Sequence, residues 1–541
     1  MFAAGVIASF VLYLVIGAVV GRKVKTRSDY YVAGRNAPTL LVAGTLVASF
    51  LSTVSFMGEL GFSYDGFPVV MLILTALNIS GYVLGVLAFG RYLRRSEALT
   101  VPEFFGRRFD SPGLQAVAGL MVVAGIGLYL VAVTQGLSLV VAQLLDVPEW
   151  SALVIVWAAY TVFTLMSGTK GVMINDTIMF GIFMIAGVVG MSWIIGEAGG
   201  PGAAVAAMTA IESKPDALTW HGVTGPGAYM GSPTEVLVWA LTLGVVWATV
   251  VAVSPWQSSR YLMARNEHVC LRSGFVAMGA VGVLYVFLTL GGFAINIFNP
   301  DIRPSEIAFI WAAQNVLPTA LGVVAVTGIV AAGLSSAAAF LSLIGFSAAH
   351  DVLPWLTRRR GTPVDDASAL RTSRIAMLGA GVVVLLITFW SPPAVLTIGY
   401  FAATLFAAAW GPVAIWCIRS ARLSTRAAMA GMIAGFGTVA VLNGLVEFGG
   451  LDLPVWADPV LIGFTASIVA TWLGGLGRQP APAGVRFREK ILHTPAEDRR
   501  PRELRTTRTV AMGTAGVFAV TLVALVAVYA VPVTQQLGIG R

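Results

Sequence analysis

Charge is what this sequence has least of. Only 11% of its 541 residues are Asp, Glu, Lys or Arg, where a soluble globular chain carries about 25%. That deficit excludes a mostly water-solvated enzyme, a disordered scaffold and a nucleic-acid binder. Cysteine is nearly absent. Cys270 and Cys417 lie at the ends of apolar segments, so no disulfide framework is implied. The four histidines, His221, His268, His350 and His493, sit in loops or at helix ends and lack metal-ligand spacing. No Walker A phosphate loop is present, which excludes ATP drive from this chain. What the sequence has instead is apolar: 57% hydrophobic residues, 60 Gly and a mean hydropathy of +0.84. The composition is that of an all-α polytopic membrane protein in contact with a lipid bilayer.

A bilayer core takes about 20 apolar helical residues to cross. Fourteen stretches qualify: 2–21, 39–61, 67–92, 113–145, 150–168, 171–197 and 234–258, then 270–296, 319–347, 372–391, 393–418, 424–446, 456–476 and 508–532. The pair 372–391 and 393–418 is split by the Ser391-Pro392-Pro393 turn. The first span is no secretory signal, because its basic cluster (Arg22, Lys23, Lys25, Arg27) follows the apolar run. Lys and Arg mark cytoplasmic loops. Placing alternate loops inside puts 31 of the 34 basic residues there, leaving only Lys214, Arg303 and Arg541 outside. The expected topology is a multi-pass plasma-membrane protein, in the inner membrane if bacterial, with both termini outside. It explains the net charge of +8 without an anionic partner. No Lys or Arg is expected mid-span. The basic segment 478–508 reads either as a solvated linker or as a contact for anionic lipid.

A bundle of this size without a soluble domain is a transporter, channel, receptor or intramembrane enzyme. No nucleophile-base pair converges, no span carries a ring-forming filter, and no signalling module is visible for a membrane sensor. Symmetry favours a carrier. With the first span set aside, five spans from 39 to 197 start from the cytoplasm and five from 234 to 418 start from outside, an arrangement of inverted repeats. The expected units are 1–38 (an extra helix and loop), 39–197 (first repeat), 198–233 (outer loop), 234–418 (second repeat), 419–477 (two added helices), 478–507 (basic linker) and 508–541 (last helix and tail).

The leading helix of each repeat is interrupted. The first holds Ser49, Ser52, Thr53, Ser55 and Gly58 within 48–59; the second carries Ser254-Pro255, whose proline withdraws an amide and frees the carbonyl of Val251. Two acids lie within spans, and such groups normally face the bundle interior. Asp176 stands in the inner half, on a cation path or in a structural hydrogen bond. Glu59 lies in the outer half, as a gate or an amine-binding site. Sodium, a hard cation, takes oxygen ligands. Ser335 and Ser336, with the carbonyl of Ala332 one turn earlier, present three oxygens, and carbonyls of Ala48 and Leu51 from the broken helix complete five.

Several ordered motifs occur together: Ser28-Asp29-Tyr30-Tyr31-Val32-Ala33-Gly34-Arg35, Thr100-Val101-Pro102-Glu103-Phe104 with Arg107-Arg108-Phe109, Asn175-Asp176, Gln257 to Arg260-Tyr261-Leu262, and Ala331 to Ser336 followed by His350-Asp351. On these the chain resembles the sodium:solute symporter family over about 22–420. The resemblance implies the LeuT-like five-plus-five inverted-repeat fold with about 14 transmembrane helices. It implies a sodium ion held by Ala48, Leu51, Ala332, Ser335 and Ser336, with Asp176 on its exit route. Members that hold a second sodium use two hydroxyls where this chain has Ala338 and Ala339, so one sodium per cycle is expected. Phe50 stands where proline carriers place an acid. The small-molecule substrate is expected against Thr53, Ser55, Phe56, Trp247, Ser254, Trp256 and Gln257. These lack the polar pattern of sugar carriers, which favours a short organic acid or amino acid. The Ser-Asp-Tyr-Tyr start and His-Asp end resemble the acetate/monocarboxylate branch. The expectation is sodium-coupled, alternating-access uptake of a short monocarboxylate. Sodium- or proton-coupled uptake of an amino acid or other small metabolite is the alternative, and a small membrane subunit stays open as a partner.

Overall fold

The computed structural model describes residues 1–22, 26–357, 365–390 and 395–536. Lys23, Lys25, the arginines at 358–360, the Ser391-Pro392-Pro393 turn and Arg541 lie outside the described residues. Among the described residues the architecture is helical, and extended pairing is confined to an isolated bridge between Ala37 and Ala264. Twelve helices are long and apolar enough to cross a membrane, and a bent pair, Thr39–Phe50 with Val54–Tyr64, makes a thirteenth span.

The fourteenth is hidden in Glu149–Glu197, a run of 49 residues. At 1.5 Å per residue it would measure about 74 Å as one rod, against a core of about 30 Å. It is not one rod. Gly168 has φ 54° and ψ −162°, a conformation open essentially only to glycine. A Cβ there would also lie 2.3 Å from the Tyr30 ring. The expected spans 150–168 and 171–197 therefore meet at this glycine.

Small residues set the helix spacing, as they do where lipid supplies no hydrophobic drive. Gly17 of the first helix admits the Phe163 ring, and Tyr13 stacks on Phe163 at 3.9 Å between centroids. Pro501–Leu525 lies along Glu267–Ala294, with Phe518 over Gly282 and the Thr514 hydroxyl donating to the Phe275 carbonyl at 3.2 Å. The 478–508 segment is neither solvated throughout nor free. Its helix Pro482–Leu492 packs on Val101–Phe109, where Arg488 Nε donates to Ile418 O (2.7 Å) and Arg108, fully buried, donates to Cys417 O (2.6 Å). Arg95 ties the same segment to the body, donating to Ile491 O (2.9 Å) and pairing with Glu267 at 2.5 Å.

The two interrupted helices are joined at one end by the Ala37–Ala264 bridge, with Ala37 N to Met263 O at 3.0 Å and Arg265 N to Ala37 O at 3.1 Å. This tie fixes the start of the first interrupted helix against the end of the second. It brings the two breaks into one neighbourhood.

Candidate ion and solute site

The first helix breaks at Leu51 (φ −73°, ψ 114°), and its halves meet at 57°. Beyond the break, the amides of Ser55 and Phe56 both turn to the Ser52 carbonyl, at 3.1 and 3.3 Å. The Leu51 carbonyl is thereby left for a side chain. Ser336, on the unbroken helix Thr319–Phe346, aims its hydroxyl at Leu51 O (3.3 Å) and Ala48 O (3.4 Å). Both distances exceed the 2.5–3.0 Å of a good O–H···O bond. Ala332 lies one turn earlier on the same helix, fully buried.

Ser335 faces elsewhere. Its hydroxyl donates to one oxygen of Asp176, and Thr45 donates to the other. Asp176 is fully buried between Thr39–Phe50 and Thr319–Phe346. The two adjacent serines thus serve two oxygen clusters, one at the break and one around the carboxylate. Thr45 was not legible as a partner, since a lone threonine in an apolar helix resembles a packing residue.

The half of the broken helix that follows the break carries the second acid. Glu59 is 4% exposed. Tyr285 and Tyr400 donate to its two oxygens, the latter at 3.3 Å, and the Tyr285 hydroxyl also meets Ser55 Oγ at 2.9 Å. It forms no ion pair among the described residues. Phe50 stands beside this cluster with the rings of Tyr82, Trp247 and Tyr285 each 6.1 Å away, and Trp247 lies 5.3 Å from Tyr400. Trp247 Nε1 is buried without a hydrogen-bond partner. Tyr285 and Tyr400 escaped the sequence reading, although a tyrosine inside an apolar span is itself a signal for a buried hydroxyl.

The second helix breaks at Ser254 (φ −57°, ψ 148°) between Pro233–Val253 and Pro255–Leu262. It bends less than the first, and Pro233–Leu262 passes as one span. Ser254 Oγ has no partner, while its carbonyl accepts from Ser258 Oγ at 2.7 Å. Gln257 reaches across, its amide nitrogen 3.3 Å from Ser49 Oγ and 3.4 Å from Leu46 O.

The seven residues expected against the substrate therefore divide. Ser55 and Trp247 share the Glu59 neighbourhood, and Ser254 and Gln257 line the second break. Trp256 is packed among Tyr129, Phe340 and Phe406, at 5.3, 6.0 and 5.6 Å. Phe56 lies against Phe183 and Phe309, and Thr53 donates to Val133 O at 3.4 Å. The side chains of these last three pack against other helices, although Thr53 itself lies in the first break.

One expectation needs correction. No Lys or Arg is expected mid-span, and Arg260 falls beyond the expected span 234–258. Arg260 instead belongs to the helix Pro255–Leu262 and is 2% exposed. That short helix is too polar to read as membrane-spanning, because it is enclosed by protein and never meets lipid.

The sodium:solute symporter family model matches residues 30–435. The chain belongs to the sodium:solute symporter family. It is 23% identical to YwcA of Bacillus subtilis (strain 168), described as an uncharacterized symporter, over 86% of this chain and 91% of that protein. Its fold is that of a Na+-coupled sialic acid symporter solved substrate-bound and outward-open, with a TM-score of 0.73 at 17% identity, covering 89% of this chain and 99% of that one. The chain is thus a multi-pass membrane transporter with the LeuT-type fold, and not an enzyme.

Proposed function

We propose that this symporter draws sodium inward at the first helix break and couples it to uptake of a short monocarboxylate across the plasma membrane. The basic loops then face the cytoplasm and both termini lie outside. One observation carries the reading: Ser336 Oγ facing the Ala48 and Leu51 carbonyls at 3.4 and 3.3 Å, beside Ser335 on Asp176. Two oxygens at that separation subtend a right angle at a cation about 2.4 Å from each, a distance hard cations keep. Of the expected set, Ala48, Leu51, Ala332 and Ser336 hold sodium at the break, and Ser335 joins Asp176 in receiving it on its inward path. Ala338 and Ala339, one turn on, have no side-chain oxygen, which supports one sodium per cycle.

Sodium bridging the helix break to Thr319–Phe346 would hold the broken helix in one arrangement and so raise solute affinity. Such coupling is typically about 1–3 kcal/mol, and it is reciprocal, so the solute must tighten sodium by the same factor. Ser55, Trp247, Ser254 and Gln257 contact the solute in this scheme, and Thr53, Phe56 and Trp256 shape the walls behind them. Glu59 gates the outer side.

A second reading, an amino acid as solute, is favoured by Glu59 itself. A buried carboxylate without a basic partner repels a bare anion and attracts an ammonium group, and aromatic faces such as Phe50 and Trp247 add to that attraction. The test is uptake into proteoliposomes of labelled acetate, propionate, pyruvate, proline, pantothenate and a hexose. Each is run with an inward sodium gradient and with choline in its place at constant pH. Sodium-dependent accumulation of a monocarboxylate is the expected result. Accumulation that persists in choline and follows the pH gradient would transfer the coupling to protons.

A further inference from the structure

Arg260 is a buried positive charge that forms no ion pair among the described residues. Its Nε and Nη2 are buried without a hydrogen-bond partner, and so is the hydroxyl of its neighbour Ser259. Asp176 is the acid whose field reaches it, but both Asp176 oxygens are occupied by Thr45 and Ser335, and no ion pair joins the two residues. A buried unpaired charge is costly, and it persists where something intermittently pairs with it.

Arg260 and Ser259 line a cavity with room for about one water, of ≈ 20 Å³, whose far wall carries Tyr31, Thr100, Ser342 and Ser347. Tyr31 and Thr100 come from the segments whose basic residues mark the cytoplasmic side. The near wall begins at Pro255, directly after the second break. Unpartnered polar groups run from that break toward the cavity along one short helix: Ser254 Oγ, Gln257 Oε1, Ser259 Oγ and the Arg260 guanidinium.

We infer that Arg260 and Ser259 form an inner carboxylate subsite, where the solute's anionic end lodges after it passes the second helix break and before it reaches the cytoplasm. The guanidinium offers paired N–H donors matched to a carboxylate, and the Ser259 hydroxyl offers a further one. Sodium and solute then leave by different residues, the cation over Asp176 and the anion over Arg260. Each residue lies in the other's field, so the departure of one partner loosens the hold on the other, as reciprocal coupling requires. This inference rests on the reading of a carboxylate-bearing solute, and it holds equally for a monocarboxylate and an amino acid.

The test reads occupancy and not transport. Ser342 lines the same cavity and is buried like both native cysteines, so Cys270 and Cys417 are first replaced by serine and the labelling reads the arrangement in which the cavity opens to the cytoplasm. In inside-out vesicles of Ser342→Cys, an impermeant maleimide labels the new thiol from the side of the basic loops. Acetate is expected to slow the labelling, and neutral acetamide is not. Adding Arg260→Gln should raise the acetate needed by about tenfold, the loss of a charge-assisted hydrogen bond. Stabilisation of that variant by sodium against heating shows it is folded; if it does not fold, the acetate and acetamide comparison in Ser342→Cys alone decides. Equal protection by acetamide, equal protection by chloride, no protection by acetate, or protection that survives Arg260→Gln in a folded variant would each overturn the subsite. Acetate protection in a carrier that takes up none of the carboxylates in the panel would leave the subsite standing and overturn the proposed solute.

Discussion

Of the buried carboxylates, Asp176 and Glu59 are the two that meet the broken first helix, and they are held in different company. Asp176 is gripped by two aliphatic hydroxyls, Thr45 and Ser335, with the positive field of Arg260 close by. Glu59 is gripped by two tyrosines and borders aromatic faces, with no basic group paired to it. The contrast separates two tasks. A carboxylate that shares hydroxyls with a neighbouring cluster of carbonyls can pass on a small hard cation. A carboxylate walled by rings, with no counter-charge, sets what sign of solute can approach.

The sharpest way to break this contrast is to neutralise Asp176. Asp176→Asn should lower sodium-driven turnover by about tenfold to a hundredfold, as the loss of a charged partner of 1.5–3 kcal/mol would. A wild-type rate in single-turnover uptake would return Asp176 to an ordinary helix-to-helix hydrogen bond. Next in size is Ser336→Ala, which removes the one hydroxyl facing both break carbonyls. The sodium concentration for half-maximal uptake should rise about tenfold, with maximal rate little changed. Ser335→Ala should act more on rate than on affinity, because its hydroxyl serves Asp176. If the two serine variants behave identically, the division into two oxygen clusters fails.

Glu59→Gln sharpens the comparison from the other side. For a monocarboxylate the solute KM should fall or stay level, since a repelling charge is removed. For an amino acid it should rise about tenfold. The smallest effect concerns Lys214, whose ammonium donates to Tyr64 O (2.8 Å) and Asn296 Oδ1 (2.5 Å) a little beyond Glu59. Burial pushes this amine down to about 8, with Asp65 opposing. An unfolded lysine titrates near 10.4. Between about pH 8 and 10.4 the unfolded chain therefore binds more protons, and stability rises with pH across that window. Thermal unfolding scans should show the rise in the wild type and not in Lys214→Met.

Much of this architecture is legible in the sequence because lipid imposes simple rules. Apolar length gives the spans, and Ser254-Pro255 and the run from Ser49 to Gly58 mark the breaks. The pair Ser335-Ser336 stands out on a helix otherwise apolar around it. What escapes the sequence is convergence. Tyr285, Tyr400 and Thr45 lie far along the chain from the acids they serve, and nothing local to them announces that meeting. Arg260 escapes for the opposite reason: its surroundings are so polar that they read as a loop, whereas enclosure by protein removes the need for apolar residues. The position of Gly168 was visible as a boundary, but not its strained conformation. Trp256, Phe56 and Thr53 sit beside the breaks in sequence, yet helical geometry turns them onto other helices.

The most direct test of the central claim is solute-stimulated entry of radiolabelled sodium into proteoliposomes, with Ser336→Ala in parallel. The account predicts one sodium entering per solute, and a higher sodium requirement in the variant with the fold intact. Solute accumulation without sodium entry, or a sodium requirement untouched by Ser336→Ala, would contradict it.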